Sequence, residues 1–388
     1  MSIWVKTKVE NWRLSKYFNI VIGGEMSIKR YGFNPIIKAG DVEPSCKNLK
    51  VVGAFNPGAA IYKDQIILAF RTAEAVDNPD DDFFRVPIVD SSTSCLKTVD
   101  IDKSNRDYDF SDSRVIKNIK KPYDFEYLTS ISHIRLARSD DGINFDVDER
   151  PFIFPENKYE SFGIEDPRIT RIDSSYYITY SGVSKYGIVV GLAVTEDFKS
   201  YRKLGNIFNT ENKDAVIFPE KIGGKYFALN RPVSRSTGKP MIWISESDNL
   251  INWGNHRLLA CTRENCWDSR KIGAGMPPIR TDAGWLELYH GVDEHECYSM
   301  GALLLDLDDP SKVIGRSEEP VLYPCEDYET EGFFSDVVFP CGAVEIRDKL
   351  YIYYGIADSS IGLVTADTGD ILNSIGVAGE PQHGKNIY

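Results

Sequence analysis

The sequence predicts an all-β fold, a five-bladed β-propeller closed by an N-terminal strand, and three observations lead there. Aromatic residues make up 12% of the chain, beside many β-branched ones and with 30 glycines and 19 prolines to punctuate turns. That mixture favours short strands, and the spacing of long amphipathic helices is hard to find. Two short patterns also recur in strict alternation, which points to an array of similar units.

The first pattern is a small or Pro-bearing start, a short strand, a polar turn and a strand rich in Tyr, Leu and Ile. It occurs at GAFNPGAAIYKDQIILAFRTAE (53–74), IEDPRITRIDSSYYITYSG (164–182), AVIFPEKIGGKYFALNRP (215–232), GMPPIRTDAGWLELYHGV (275–292) and VVFPCGAVEIRDKLYIYYGIAD (337–358). The second is an apolar strand, a turn rich in Asp, Glu and Ser, and a short strand ending near Pro or Phe. It occurs at 136–154, 192–208, 242–260 and 302–324, and a fifth copy starting at Ile361 lacks its closing strand. FNPIIKAGDVEPS (33–45) resembles those closing strands yet stands at the other end of the chain. Two strands from each pattern make a four-stranded blade, so this segment would complete the fifth blade and pin the two chain ends together.

The domain organisation follows. Residues 1–32 form an N-terminal arm, 33–370 the propeller and 371–388 a polar C-terminal tail. A charged insertion at 91–124 interrupts the first blade and is expected as a rim loop over the central pocket. The arm is compatible with a homo-oligomer.

Charge and composition exclude several partners. The 388 residues carry 58 carboxylates against 45 Lys plus Arg, a formal net charge of −13, which disfavours nucleic acid. No run approaches the roughly 20 apolar residues of a membrane span. The first 19 residues contain Trp4, Lys6, Lys8, Glu10 and Arg13 and no apolar core of a secretory signal, which reads as cytoplasmic. Seven cysteines without a CxxC pair argue against a disulfide framework or structural zinc, and no ligand set at metal spacing is present.

In a propeller the first strand of each blade lines the channel, so polar residues at equivalent positions of the first pattern converge. The converging set is Asn56 and Arg71, then Glu165, Asp166 and Arg168, then Asn230 and Arg231, then Lys271, His290 and Tyr298, and finally Asp336 and Asp358. Carboxylates with aromatics suit a sugar, and one acid can protonate a glycosidic oxygen. Arg231, Lys271 and His290 form an opposing basic cluster, and a guanidinium fork plus an ammonium point charge suits phosphate. Each residue also has a structural reading: Asp166 as a turn cap before Pro167, Arg168 as the partner of Glu165 or another channel carboxylate, His290 as a core histidine, Lys271 on a solvated loop. Tyr298 competes with twenty other tyrosines.

The motif GIEDPR (163–168) resembles glycoside hydrolase family 130, the mannoside phosphorylases and related β-mannosidases. AFNPG (54–58), RTAE (71–74), NRP (230–232), KIGAGMPPIRT (271–281), YHGV (289–292) and DVVFPCG (336–342) support it in order and spacing. The resemblance implies a five-bladed propeller in which Asp166 is the catalytic acid. Asn56, Arg71 and Asp336 would hold the mannosyl unit, while Arg231, Lys271, His290 and Tyr298 would hold inorganic phosphate. In hydrolytic relatives acidic residues replace the basic phosphate ligands, and here Lys271 and His290 are both basic in type. The implied reaction is inverting phosphorolysis to α-mannose 1-phosphate, with phosphate as co-substrate and no cofactor. An inverting hydrolase needs a second carboxylate to activate water, whereas phosphate arrives nucleophilic.

LKVVGAFNPG (49–58) and RVPIVD (85–90) look more like the branch acting on β-1,2-mannobiose and β-1,2-oligomannan than the β-1,4 branches. Alternatives are a β-1,4-mannooligosaccharide phosphorylase, a phosphate-independent β-mannosidase and a non-catalytic carbohydrate-binding propeller. The mannosidase needs a carboxylate base near the phosphate position, with Glu287 or Glu294 the nearest candidates in sequence.

Overall fold

A computed structural model describes residues 28–376, apart from 78–79, 81, 91, 94, 122–124 and 234–237. The fold is all-β. Among the described residues, helix is confined to Asp327–Thr330, Thr368–Ser374 and a 3-10 turn at Ala39–Asp41.

The strands pair in antiparallel groups that follow chain order. Leu49–Tyr62, Gln65–Val76, Ile131–Ser139 and Asp146–Val147 form the first group. Gly163–Ile172, Ser175–Ser184, Gly187–Thr195 and Arg202–Phe208 form the second. The third is Asn212–Ile217, Tyr226–Pro232, Ile242–Ser247 and Trp253–Ala260. In the fourth, Lys271–Ala274 and Ile279–Thr281 share one partner, Gly284–Val292, followed by Tyr298–Leu305 and Val313–Arg316. The fifth holds Val338–Ile346, Lys349–Ile356 and Ser360–Ala366. Its outer edge is taken by N-terminal segments: Ile37–Lys38 pairs with Ile361 and Ser360, and Lys29–Arg30 with Thr365 and Val364.

Local chemistry sets the turns. Arg347 and Asp348, joining the first two strands of the fifth group, both have positive φ (51° and 64°). That is the type I′ geometry whose twist matches paired strands.

Successive side chains on a strand point to opposite faces, so one strand can feed two cores. Ile66, Leu68 and Phe70 pack with Ile37, Tyr353 and Leu363 of the fifth group and its N-terminal edge. Their neighbours Ile67 and Ala69 join Ile164 and Ile178 of the second group. The same alternation puts Val190 and Leu192 with Ile217 and Ala228, Leu229 and Ile244 with Trp285 and Leu303, and Leu286 and Met300 with Ile352 and Val364. Each group therefore shares an apolar layer with the next, and the fifth shares one with the first. Every fully buried Leu, Ile or Phe contributes about 1.5–3 kcal/mol.

Three expectations shift. The insertion is ordered β structure rather than a rim loop over 91–124. Phe83–Asp90 pairs with Cys95–Asp102, while Val115–Asn118 pairs with Tyr108–Asp109 and Phe125–Leu128, around a small core of Val86, Ile101 and Ile116. The folded unit also extends past 370, because helix Thr368–Ser374 buries Ile371 in the layer between the fourth and fifth groups. Lys29–Arg30, assigned to the arm, is already a sheet strand; the remaining arm and tail positions 1–27 and 377–388 lie outside the described residues. The seven cysteines form no disulfide.

Arg30 latches the N-terminal edge. Its Nε and Nη2 donate to Glu329 Oε1 and Oε2 at 2.9 Å each, and Nη2 also donates to the Tyr323 carbonyl at 2.6 Å. Glu329 is fully buried and accepts from Tyr354 Oη at 2.8 Å as well. Arg30→Ala strands that carboxylate without its cation and is expected to cost about 3 kcal/mol. Urea denaturation checks this, with Glu329→Gln expected to lose less than Arg30→Ala because it removes the charge that needs a partner.

Candidate active site

The first strands of the first three groups share one irregularity. Their pairing register jumps between Phe55 and Gly58, between Glu165 and Arg168, and between Lys213 and Val216. At each jump a residue takes positive φ: 52° at Asn56, 50° at Asp166 and 53° at Asp214. Asn and Asp tolerate this conformation better than other L residues, and a bulge re-aims its side chain. All three line one cavity of about 130 Å³.

One side of the cavity is built around Asp166. Asn56 Nδ2 donates to Asp166 Oδ1 at 2.8 Å, and Arg71 Nη1 lies 3.5 Å from the same oxygen. Arg71 is held in turn by Glu165 Oε1 at 2.8 Å and Ser132 Oγ at 2.9 Å. Asn56 fits only because residue 355 is glycine, since a Cβ there would fall 1.8 Å from Asn56 Oδ1. Burial pushes the Asp166 carboxyl up, but Arg71, Lys213 and Arg168 outweigh it and hold the group below the usual carboxylate range. Asp358 goes the other way. Burial, reinforced by the charges of Asp166 and Glu165 and opposed by Arg71 and Lys213, raises it to about 6.

The opposite side is cationic. Asp214 lies between two guanidiniums, with Arg168 Nη2 3.1 Å from Oδ1 and Arg231 Nη1 2.9 Å from Oδ2. Burial opposes its ionisation, yet Arg231 and Arg168 keep it well below the ordinary range. Lys271 Nζ donates to the Tyr298 hydroxyl. Burial, with the charges of Arg231 and Lys213, lowers Lys271 to about 8. Lys213 completes the wall, and its ammonium makes no hydrogen bond or ion pair among the described residues. Phe334 and Phe339 supply apolar surface.

Of the residues expected from sequence, Asn56, Arg71, Asp166, Arg231, Lys271, Tyr298 and Asp358 line this cavity. Glu165 stands one step away, lining an adjoining cavity and gripping Arg71. His290 is placed differently from the expected cationic phosphate ligand. It lies fully buried behind the wall, its ring 4.4 Å from that of Phe339. Arg231 Nη1 is 3.1 Å from His290 Nε2, and because a guanidinium only donates, Nε2 accepts. Burial first, then Arg231 and Arg168, push the imidazole well below its ordinary pKa despite Asp214, so it is neutral.

Asn230 also departs from expectation. It neighbours Arg231 on one strand, and adjacent side chains face opposite sides. Its amide donates to Ser245 Oγ at 2.8 Å and accepts from Asn212 Nδ2 at 2.9 Å, inside the third group. Asp336 is half-buried beside the cavity residue Val337, and its carbonyl accepts the Tyr298 N–H at 2.9 Å. Arg168 takes the structural reading, and of the channel carboxylates its partner is Asp214. Of the candidate hydrolytic bases, Glu287 is fully buried beneath the Gly275 N–H and Glu294 is exposed beside Lys239; neither lines the cavity.

Lys213, Asp214 and Arg114 were not anticipated. Taking the third repeat to start at Ala215 cut off the two residues that matter, although aligning KDA (213–215) with FNP (55–57) and EDP (165–167) would have exposed them. Arg114 comes from the insertion, outside any repeat register, and places its guanidinium 4.9 Å from the Phe334 ring centre.

The family model described as beta-1,4-mannooligosaccharide phosphorylase matches residues 114–376. The chain is 45% identical to a beta-1,2-mannobiose phosphorylase of Listeria innocua serovar 6a, over 91% of this chain and 99% of that protein. It is 41% identical to a 1,2-beta-oligomannan phosphorylase of a Thermoanaerobacter species, over 63% of this chain and 82% of the relative. A solved structure of the beta-1,2-mannobiose phosphorylase from Listeria innocua, in complex with beta-1,2-mannobiose, superposes with TM-score 0.88 at 44% identity. It covers 90% of this chain and 99% of that one.

Asp214→Asn leaves the buried Arg168 and Arg231 guanidiniums without their counter-charge and is expected to destabilise the fold by about 3 kcal/mol. Lys213→Met, which breaks no pair, is expected to stay within about 0.5 kcal/mol of the parent. Urea midpoints of the two variants check the contrast.

Proposed function

The chain belongs to glycoside hydrolase family 130, and from that premise we propose that it is a β-mannoside phosphorylase acting on β-1,2-mannobiose or β-1,2-oligomannan. The observation that carries this reading is the convergence of Arg231, Lys271 and Lys213 opposite Asp166 in one cavity. A cationic wall in a protein of net charge −13 suits a small anion. Asp214, the carboxylate on that wall, is held by two arginines and is not disposed to activate water. Asp358 belongs to the Asp166 side, where Arg71, Asp166 and Glu165 act on it. The β-1,2 linkage rests on the likeness to relatives with that specificity.

In the proposed mechanism phosphate, held by Arg231, Lys271 and Lys213 with Tyr298 beside them, attacks the anomeric carbon in line. Asn56, Arg71, Asp336 and Asp358 hold the mannosyl unit, with Glu165 behind Arg71. Asp166 supplies the proton to the leaving oxygen through a sugar hydroxyl, giving α-mannose 1-phosphate and a chain shorter by one sugar. The electrostatics link the two events. Arg71 and Lys213 hold Asp166 ionised in the free protein, and a phosphate dianion beside Lys213 offsets that field, so binding of the nucleophile raises the pKa of the acid. No cofactor is required.

We further propose that the strand groups are the blades of one propeller with the N-terminal strand as its closure. The apolar layers shared by each successive pair, and by the fifth group with the first, support this.

Incubation with β-1,2-mannobiose is expected to release mannose 1-phosphate only when phosphate is present; free mannose at an equal rate without phosphate would overturn the reading. Asp166→Asn is expected to lower kcat about 1,000-fold while sugar binding persists, the range set by losing a general acid. The pH profile gives a third check. Lys271 is charged below about 8 and neutral above it, so the KM for phosphate should climb as pH rises through 8. Lys271→Arg, which keeps its charge, should remove that alkaline rise.

A further inference from the structure

A cavity of about 690 Å³, larger than the catalytic one, is lined by different residues. It lies between the inserted strands Phe83–Asp90 and Phe125–Leu128 and the hairpin formed by Ser175–Ser184 and Gly187–Thr195 at the rim of the second group. Its size falls within the range of small-ligand sites.

The elements that line it lead back to the reacting centre. A cavity of about 320 Å³ shares Arg71, Arg114, Lys213 and Asp358 with the catalytic cavity and is bounded outward by Leu128, Val183 and Ile188. The large cleft begins on the neighbouring residues of the same two elements, Tyr127 on the inserted strand and Ser184 to Gly187 at the hairpin tip. The large cleft and the 320 Å³ cavity thus neighbour one another along one inserted strand and one hairpin, and the latter adjoins the catalytic cavity through the four residues they share.

The lining chemistry fits a neutral polyhydroxylated chain. Tyr186 is 51% exposed, yet its ring is positioned by Tyr159 at 6.0 Å and by the ammonium groups of Lys185 at 5.3 Å and Lys158 at 5.9 Å. An exposed but positioned ring is a surface for the C–H face of a sugar, and the ammonium and carboxylate groups around it can bond hydroxyls. Four lysines line the cleft against three carboxylates, Asp90, Glu126 and Glu211. That near balance is unlike the catalytic wall and does not favour an anion.

We infer that this cleft is an outer subsite for the sugars of an oligosaccharide beyond the one next to the cleaved bond, with Tyr186 as its platform, so that chains longer than a disaccharide are preferred. The inference rests on the phosphorolytic reading above. The inserted sheets then act as a chain-length determinant, remote from the bond that breaks.

The test compares kcat/KM for phosphorolysis of β-1,2-linked mannobiose and mannotetraose, and for the reverse transfer from mannose 1-phosphate to mannose and to mannotriose. The parent is expected to favour the longer substrate and the longer acceptor. Tyr186→Ala and, separately, Lys185→Ala are expected to reduce the tetraose-to-biose ratio, by about tenfold for Tyr186→Ala if the stacking contact is of the usual size for an aromatic pair. Mannobiose turnover in each variant reports whether the protein is folded. A parent ratio at or below one, or equal losses on both chain lengths, would overturn the outer subsite while leaving phosphorolysis intact. Absence of mannobiose phosphorolysis in the parent would instead overturn the reading it rests on.

Discussion

The ion cluster centred on Asp214 holds the site together. Arg168 comes from the second strand group, Asp214 and Arg231 from the third, and Arg168 also donates to the Gly275 carbonyl at the entrance to the fourth. One buried carboxylate thereby joins three groups where their first strands meet. Taking such charges out of water is expensive, and only mutual pairing makes it tolerable. The requirement fixes Arg231 in the cavity wall and leaves Lys213 and Lys271 as the cations with charge to spare.

The same economy of charge separates the two sides of the cavity. Asp166 is held ionised by Arg71 beside it and by Lys213 and Arg168, and Asp358, a neighbour under similar burial, is driven toward the protonated form. His290, neutral and accepting from Arg231, serves the wall by orienting that guanidinium instead of adding charge to it. The site therefore keeps its positive charge on groups that face the cavity.

Shape is divided differently from charge. Strand groups that share apolar layers on both sides leave little freedom at the centre, whereas the inserted sheets pack mainly around their own small core of Val86, Ile101 and Ile116. Arg114 reaches the catalytic cavity from there, and Tyr127 faces the outer cleft. A rigid centre with a separately built wall lets the reacting geometry stay fixed while the surroundings of the leaving chain vary.

The repeats, the motif GIEDPR and the excess of acidic residues were legible in the sequence because they depend on local order: strand period, turn chemistry and composition. They determined the all-β class, the pairing of the N-terminal segment with the last sheet, and Asn56, Arg71, Asp166, Arg231, Lys271, Tyr298 and Asp358 as residues that meet. Tertiary structure alone decided what each neighbour does. Strand alternation turned Asn230 away while Arg231 faced inward, burial made His290 neutral, and a bulge brought Asp214 between two arginines. Arg114 and the outer cleft had no sequence signal at all. Their positions depend on where an insertion folds against another sheet, and long-range packing of that kind leaves no period in the chain that carries it.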